Sequence, residues 1–372
     1  MRPRGGSYSR FNDKRSAGAR ASDQGGRHMA GAGGPARLLE LFGTMLATRR
    51  FEEVVYALFA EGHFSGHYHL YIGQEATGAA VIGHLSGRDT IFSTHRNHGH
   101  LLARGGDPAA ALAEILGRAG GIGGGRLGTF HLADPAIGMP HTSALVGGAV
   151  PLAAGSAFGA KLLKTGGVSV GFFGDGAFEE GVVFETLNLA QLWRIPVLFV
   201  CENNTPGALT RAEGGSNTSY LPGGRVSPVP EALGIPTHVV DGADLEAVDA
   251  LAADALARVR RDGGPVFVEA LTIRWPGNQS QYPTMATGET DLAMAWDAGR
   301  IGNEHRGWFA ADDPVLRAAR RLLELGAADA AALQAMDAQV RARMAAARET
   351  ALASPLPDPA TALDHVLAGA AR

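Results

Sequence analysis

The stretch from Val168 to Asn204, VSVGFFGDGAFEEGVVFETLNLAQLWRIPVLFVCENN, decides the fold of this chain. Apolar runs at Val168–Phe173 and Ile195–Cys201 predict two short strands, each stopped by a polar turn. Between them, Phe178–Trp193 has apolar residues at helical spacing. The residues expected on one side of this helix are Phe184, Leu187 and Leu192. A strand, a helix and a strand of these lengths predict a βαβ unit with parallel, adjacent strands.

The same alternation continues on both sides of this unit. Downstream, His238–Val240 is predicted as a strand, Asp244–Arg261 as a helix and Val266–Leu271 as a strand. The upstream predictions are helices at Ala36–Ala60 and Gln74–His84, a strand at Thr90–Ser93 and a long loop at Gly117–Pro140. This alternation predicts an α/β fold, namely a doubly wound parallel sheet with helices on both faces.

Three segments of the chain differ in composition. Residues 1–34 are rich in Gly, Arg and Ser and have few large apolar side chains, so we expect a disordered leader, with an organelle transit peptide as the alternative. Residues 35–305 are expected to form the α/β domain. Residues 306–372 are expected to be a helical C-terminal extension of the same domain, with helices at Asp313–Arg348 and Asp358–Leu367.

Composition and charge exclude several functional classes. With 33 basic and 37 acidic residues the net charge is -4, which gives no electrostatic reason to expect a nucleic acid partner. The longest apolar run, Ala144–Ala160, is shorter than the about 20 residues of a membrane span and contains several glycines and a proline, so no membrane segment is expected. One cysteine, Cys201, excludes an internal disulfide and indicates a reducing compartment, which we take to be the cytoplasm.

Polar residues follow the carboxyl ends of the two strands in the βαβ unit. Asp175 follows the first strand and Asn204 the second, and ligands of open parallel sheets bind at this edge. A carboxylate and an amide oxygen beside glycines are typical of a magnesium site. The helix that opens at Ala177 and Phe178 directs its first amides toward the same place, which favours a diphosphate. We therefore predict a site for Mg²⁺ and a diphosphate.

The pairing of Gly-Asp-Gly with Asn-Asn across a βαβ unit is typical of thiamin diphosphate binding, and other motifs extend the similarity. From about Leu38 to Leu367 the chain resembles the alpha subunits of pyruvate, acetoin and branched-chain 2-oxo acid dehydrogenases. The motifs that carry the resemblance are His69–Ala76 (HLYIGQEA), Arg96–Gly99 (RNHG), Val150–Gly155 (VPLAAG), Gly174–Ala177 (GDGA) with Asn204, and Ala353–Pro359 (ASPLPDP).

This resemblance implies a set of site residues. Magnesium would be bound by Asp175, Asn204 and the backbone carbonyl of Pro206. The diphosphate would accept from the amides of Gly176 and Ala177 and would pair with a guanidinium in the bidentate way that arginine allows. The other positions implied in cofactor binding are His95, Arg96, Ala144, Val146 and Gly174. The implied catalytic residues are His69 and His98, although this segment is crowded with histidines, about half of which we expect to be structural. A zinc site is not expected.

The resemblance also implies an activity and partners. Thiamin diphosphate would decarboxylate a 2-oxo acid, and the acyl unit would pass to a lipoyl acceptor. The family divides this work between two chains, so we expect a separate beta subunit in an α2β2 heterotetramer, with a lipoyl acyltransferase as a further partner.

Two departures from the family pattern leave the acceptor open. His95 stands where the family has a tyrosine. More importantly, a family His-Gly-His-Ser loop is replaced after Arg274 by Trp275-Pro276-Gly277-Asn278-Gln279-Ser280, so both histidines are missing. Asn278 forms hydrogen bonds but does not shuttle a proton near neutral pH. The alternative functions are therefore thiamin-diphosphate-dependent carboligation or ketol transfer in a specialised biosynthetic pathway, and a non-enzymatic regulatory subunit.

Overall fold

In the computed structural model, residues 34–204, 225–278 and 284–364 are described. Residues 1–33 of the predicted leader, Pro206 and residues 365–367 of the helix predicted at Asp358–Leu367 lie outside these ranges. The described part of that predicted helix holds only a 3₁₀ turn at Pro359–Thr361, so this helix prediction was wrong there. Within them, the strands are β1 (Thr90–Ser93), β2 (His141–Thr142), β3 (Ser169–Gly174), β4 (Val197–Asn203), β5 (Thr237–Asp241) and β6 (Val266–Leu271).

These six strands form one parallel sheet in the order β2-β1-β3-β4-β6-β5. β3 pairs directly with β4, from Ser169 beside Val197 to Gly174 beside Glu202, which confirms the predicted βαβ unit. The chain leaves β1 toward β2 on one side and leaves β3 toward β4 on the other. A topological switch point therefore lies between the carboxyl ends of β1 and β3, where α/β sheets bind their ligands.

Ten α-helices in the described ranges surround the sheet. They are α1 (Pro35–Ala60), α2 (Glu75–Ile82), α3 (His98–Ala103), α4 (Pro108–Ile115), α5 (Ala149–Leu162), α6 (Gly181–Leu192), α7 (Pro228–Ala232), α8 (Leu245–Asp262), α9 (Pro314–Glu324) and α10 (Ala330–Ala353). No helix in the described part of the chain is both long and apolar enough to cross a membrane.

Alternate side chains along the strands point to opposite faces of the sheet and pack into two separate apolar clusters. Val170 and Phe172 of β3 pack into the cluster formed with α1, α2, α4 and α8–α10. Phe173 of β3 and Phe199 of β4 pack into the cluster on the opposite face, formed with α5 and α6. Successive residues of a strand point to opposite faces, so a strand buried on both sides is apolar throughout. The predicted doubly wound α/β fold is confirmed.

The C-terminal helices are joined to α1 by buried ion pairs. Arg49 of α1 is 1% exposed and donates to Glu75 (Nε–Oε1 2.6 Å) and to Asp313 before α9 (Nη1–Oδ2 2.8 Å). Arg50 binds Asp337 of α10 in the same way (Nε–Oδ1 2.7 Å). These contacts fix α9 and α10 against the domain. The proposed division at residues 305 and 306 stays a prediction.

Two further sequence predictions for helices were wrong in their extent. The helix predicted at Asp313–Arg348 is two helices, because Gly326 has a left-handed φ of +62° and the chain turns between α9 and α10. The helix predicted at Phe178–Trp193 begins later, since a 3₁₀ turn occupies Asp175–Glu179 before α6. On α6, Leu187 is buried, whereas Phe184 and Leu192 are 38% and 69% exposed.

Candidate active site

A cleft opens at the switch point, beyond the carboxyl ends of β1, β3 and β4. The structure brings eight of the predicted site residues together along its walls: His95, Arg96, Val146, Gly174, Asp175, Gly176, Ala177 and Asn204. These residues come from four separate parts of the chain. Their convergence at the ligand-binding edge of the sheet supports the sequence interpretation of the site.

Four predicted residues are not among those that line the cleft. Pro206 lies outside the described residues, and Ala144 lies next to the wall that Leu145 and Val146 form. The ring of His69 lies behind His95, with ring centroids 4.7 Å apart. His98 is fully buried elsewhere, and its predicted catalytic role receives no support from this position.

His98 has an evident structural contact on each ring nitrogen. Its Nδ1 lies 2.9 Å from Glu52 Oε2, and its Nε2 lies 2.9 Å from Thr129 Oγ1. The other oxygen of Glu52 accepts from the backbone amide of Tyr71 at 2.8 Å. His98 therefore contributes to the site by fixing the backbone near Tyr71, through Glu52.

The turn after β3 leaves open space in the cleft. Asp175 is 2% exposed and begins a 3₁₀ turn, whose first amides lack acceptors within the turn itself. A Cβ atom built on Gly174 or Gly176 would meet no atom within 4 Å. This glycine-walled space lies beside a buried carboxylate, as a magnesium-bound diphosphate requires.

Asn204 is held in place by two side chains of the cleft. Its Nδ2 donates to Gln74 Oε1 (3.2 Å), and its Oδ1 accepts from Arg274 Nε (2.9 Å). Gln74 Oε1 also accepts from Thr272 Oγ1 (3.3 Å). An amide oxygen has two lone pairs, so the contact with Arg274 leaves one lone pair of Oδ1 for a metal ion.

The cleft holds one buried guanidinium, that of Arg96, and one half-buried guanidinium, that of Arg274. Burial and the neighbouring Arg274 lower the pKa of Arg96 to about 10. Burial lowers the pKa of Arg274 as well. Arg96 Nη1 donates to the carbonyl of Leu70 (2.8 Å). The guanidinium makes no other hydrogen bond to the described residues, which leaves N–H groups for a ligand. The carboxylates of Asp175 and Glu202 also line the cleft, and the guanidiniums are donors that suit an anion.

Burial and the same arginines keep the nearby histidines neutral. The pKa values of His69 and His95 are both lowered to about 3, in each case chiefly by burial and then by Arg96. His69 also stacks on Phe130, with ring centroids 5.5 Å apart, and its buried Nδ1 has no hydrogen-bond partner among the described residues. At neutral pH both imidazoles are therefore uncharged hydrogen-bonding groups.

Sequence reasoning missed five polar residues of the cleft, namely Gln74, Thr94, Ser143, Glu202 and Arg274. Glu202 lies at the carboxyl end of β4, directly before the Asn-Asn pair, and accepts a hydrogen bond from the Tyr71 hydroxyl. A signal was present, since each of them stands within or next to a motif or a predicted site residue. The residue types alone did not distinguish them from ordinary loop residues.

The donor set fits the group that the resemblance implies. One carboxylate (Asp175) and one amide oxygen (Asn204) are hard ligands that suit Mg²⁺ and leave positions for phosphate oxygens. Arg96 and the amides around Gly176 suit a diphosphate. Within the described ranges, no group of three or more His, Cys, Asp or Glu side chains could hold a metal ion, so the proposed site depends on the Asn204 oxygen and on the phosphate oxygens.

Comparisons with known proteins agree with this geometry. Residues 43–360 match the protein family described as Dehydrogenase E1 component. The alpha subunit of acetoin:2,6-dichlorophenolindophenol oxidoreductase from Bacillus subtilis is 42% identical over 252 residues, which are 67% of this chain and 74% of the relative. The protein of the same name from Cupriavidus necator is 35% identical over 330 residues, 88% of this chain and 93% of the relative.

A pyruvate dehydrogenase shows the same relationship. The E1 component subunit alpha from Zymomonas mobilis is 34% identical over 334 residues, 89% of each chain. The family match covers most of the sequence, and these relatives are themselves alpha subunits. The predicted resemblance is confirmed, and this chain belongs to the dehydrogenase E1 component family, as one of its alpha subunits.

Proposed function

We propose that this chain is the alpha subunit of a heteromeric, cytoplasmic enzyme that decarboxylates a 2-oxo acid and transfers the acyl unit to a lipoyl acceptor. Its cofactor is thiamin diphosphate, as family membership implies, and Mg²⁺ accompanies the diphosphate. The observation that carries the proposal is the convergence of Asp175, Asn204, Arg96 and the glycine-walled turn in one cleft.

Each of these residues has a distinct role in the proposal. Asp175 and the Oδ1 atom of Asn204 bind Mg²⁺, while the amides of Gly176 and Ala177 and the guanidinium of Arg96 bind the diphosphate. Arg274 orients Asn204 through the Nε–Oδ1 contact of 2.9 Å. When bound, the cofactor supplies the nucleophilic carbon that adds to the 2-oxo acid carbonyl and accepts the electron pair as carbon dioxide leaves.

The neutral histidines belong to the substrate side of this proposal. His95 lines the cleft and His69 lies behind it, and burial beside Arg96 keeps both uncharged. A neutral imidazole offers one donor and one acceptor without attracting the substrate carboxylate as a cation would. We assign to His95 the hydrogen bonding and orientation of the substrate, and to His69 the support of the His95 ring, which it contacts edge-on.

An exposed apolar surface next to the cleft supports a partner chain. Leu145 and Val146 on the rim are 78% and 55% exposed. The apolar surface continues along the neighbouring helices α5 and α6, where the exposed large side chains include Leu152, Leu162, Val182, Phe184 and Leu192. Surfaces of this kind mark protein interfaces. We propose that a beta subunit covers part of this surface and closes the cleft, in an α2β2 assembly that a lipoyl acyltransferase visits.

The alternative acceptor chemistry rests on Pro276 and Asn278. The structure places neither side chain among those that line the cleft. The backbone N–H of Asn278 donates to the carbonyl of Trp275 (3.1 Å). The same turn is closed by a hydrogen bond from the backbone N–H of Thr284 to the carbonyl of Gly277 (3.0 Å). Lipoyl transfer is therefore the proposed reaction, and carboligation or ketol transfer is tested beside it.

The test is an assay of the chain purified together with its beta subunit. We would offer a panel of 2-oxo acids with three acceptors: a redox dye, a lipoyl domain and an aldehyde. Reductive acylation of the lipoyl domain supports the proposal. Turnover with the aldehyde alone would replace it by carboligation, and no turnover with any acceptor would contradict both.

A substitution at the metal position tests the cofactor assignment. Asp175→Ala is expected to abolish Mg²⁺-dependent binding of thiamin diphosphate in calorimetric titration, while the melting temperature stays close to that of the wild type. The matched control is Asp254→Ala, because Asp254 is an exposed aspartate on α8, outside the cleft. Unchanged cofactor affinity in the Asp175 variant would contradict the assignment.

A further inference from the structure

A row of hydrogen-bonded side chains runs from the carboxyl end of β1 to the cleft. Ser93 Oγ of β1 lies 2.7 Å from His100 Nδ1, and His100 Nε2 lies 3.0 Å from the Tyr71 hydroxyl. The Tyr71 hydroxyl in turn donates to Glu202, whose carboxylate lies in the cleft wall. Ser93, Tyr71 and His100 are all buried. None of the three is among the predicted site residues, and none has a role in the proposed reaction.

The direction of every hydrogen bond in this row can be deduced. The Tyr71 hydroxyl donates its single proton to Glu202 Oε1, so it has no proton left for His100. His100 Nε2 must then donate to the Tyr71 oxygen, which makes Nδ1 the acceptor for the Ser93 hydroxyl. Each donor has one acceptor and no proton is left over. The Tyr71 hydroxyl therefore has no alternative orientation that satisfies its neighbours.

Tight packing also fixes the Tyr71 ring. A Cβ atom at Gly99 would lie 2.1 Å from Tyr71 Cδ1, and one at Gly78 would lie 2.8 Å from the Tyr71 hydroxyl oxygen. The His100 ring stacks on Phe172 at 3.9 Å between centroids, which holds the donor at Nε2 in place. The motif Arg96–Gly99 therefore needs a glycine at position 99, because any side chain there would clash with the Tyr71 ring.

The row ends at Glu202, near the Arg96 guanidinium that is proposed to bind the diphosphate. Glu202 and Arg96 both line the cleft, and the Glu202 carboxylate acts on Arg96 electrostatically, raising its pKa against the effect of burial. A buried carboxylate and a buried guanidinium attract each other strongly. If Glu202 turned to Arg96, it would occupy the donors that a diphosphate requires.

We propose that Tyr71, oriented by His100 and Ser93, is a positioning residue that holds the Glu202 carboxylate away from Arg96 and so keeps this guanidinium available for the diphosphate. The inference rests on the proposed function, because it takes the diphosphate as the ligand of Arg96. The only other contact of Glu202 in the row, 3.4 Å to His100 Nε2, is too long to replace the tyrosine hydrogen bond.

The test compares cofactor affinity in two variants and their combination. Calorimetric titration uses thiamin diphosphate with Mg²⁺ and the full chain in complex with its beta subunit. For Tyr71→Phe we expect the dissociation constant to rise about 10- to 100-fold, because Arg96 would be free of Glu202 in only about a tenth to a hundredth of the molecules. In Tyr71→Phe/Glu202→Gln the affinity should return close to the wild-type value, since glutamine carries no charge to pair with Arg96.

Two further variants separate this role from a merely structural one. Tyr68→Phe is the matched control, because Tyr68 is also fully buried and packs on Phe59 (ring centroids 4.5 Å apart), and its affinity should not change. Glu202→Gln alone should bind the cofactor at least as tightly as the wild type, so the inference can be judged even if Tyr71→Phe does not fold. Melting temperatures establish which variants are folded.

The possible outcomes distinguish the inference from the proposed function. Unchanged affinity in Tyr71→Phe, or a loss that Glu202→Gln does not restore, would overturn the role of Tyr71. A tenfold loss of affinity in Glu202→Gln alone would also overturn it. If Arg96→Met binds the cofactor as well as the wild type does, the placement of the diphosphate, and with it the proposed function of the cleft, is wrong instead.

Discussion

Replacement of Gly176 by alanine separates the binding of a diphosphate from the stability of the fold. A methyl group at Gly176 meets nothing within 4 Å, and this glycine is not among those with positive φ. The unliganded protein should therefore tolerate the change, with a free energy of unfolding within about 0.5 kcal/mol of the wild type or slightly higher. The proposed diphosphate occupies the same space. Overpacking of this kind typically costs about 1–3 kcal/mol, which corresponds to a roughly 5- to 150-fold weaker affinity.

The assay is calorimetric titration of thiamin diphosphate with Mg²⁺, with chemical denaturation of the same preparations. Gly171→Ala is the matched control, because its Cβ would lie 2.9 Å from the Cβ of Ala153 beneath the sheet. We expect it to lower stability by about 1–3 kcal/mol and to leave the cleft intact. Wild-type cofactor affinity in Gly176→Ala would refute the placement of the diphosphate against this turn.

Two further predictions concern the buried ion pairs and the missing histidine. Arg49→Met should lower the free energy of unfolding by about 3–5 kcal/mol, because it leaves Glu75 and Asp313 as buried carboxylates without their partner. Arg258→Met, which breaks the exposed ion pair of Arg258 and Asp262, should lower the free energy of unfolding by at most about 1 kcal/mol. Similar losses of stability in the two variants would contradict this reasoning. Asn278→His, made alone and with a change at Pro276, should not increase acylation of a lipoyl domain, because this side chain does not line the cleft. A gain approaching the factor of about 10² to 10⁴ that an acid–base group supplies would contradict this prediction.

The elements of the fold could be predicted where the spacing and type of the apolar residues favoured either a strand or a helix. Val266–Leu271 and Thr90–Ser93 were predicted with the bounds that the structure has, since each is a short stretch rich in β-branched and aromatic residues. Helix α5 was not recognised, because its glycines and Pro151 are poor helix formers and tertiary packing overrides that preference. The break at Gly326 was missed because Ala, Leu and Arg continue at helical spacing on both sides of it.

The candidate site followed the same rule. Asp175 and Asn204 could be predicted because a parallel sheet gathers the residues at its carboxyl edge. The roles of His98 and Tyr71 could not be predicted, since they depend on Glu52 and Glu202, partners that only the folded chain brings close. A histidine in a motif shows that the position matters, but its hydrogen-bond partners decide whether it meets a ligand or supports a residue that does.

The structure of the chain and its beta subunit with thiamin diphosphate and Mn²⁺ in place of Mg²⁺ tests the central claim most directly. The account predicts an anomalous manganese peak coordinated by Asp175 and Asn204, with the diphosphate against Gly176 and within hydrogen-bond distance of Arg96. A metal peak elsewhere, or a diphosphate that contacts neither the turn after β3 nor Arg96, would contradict it.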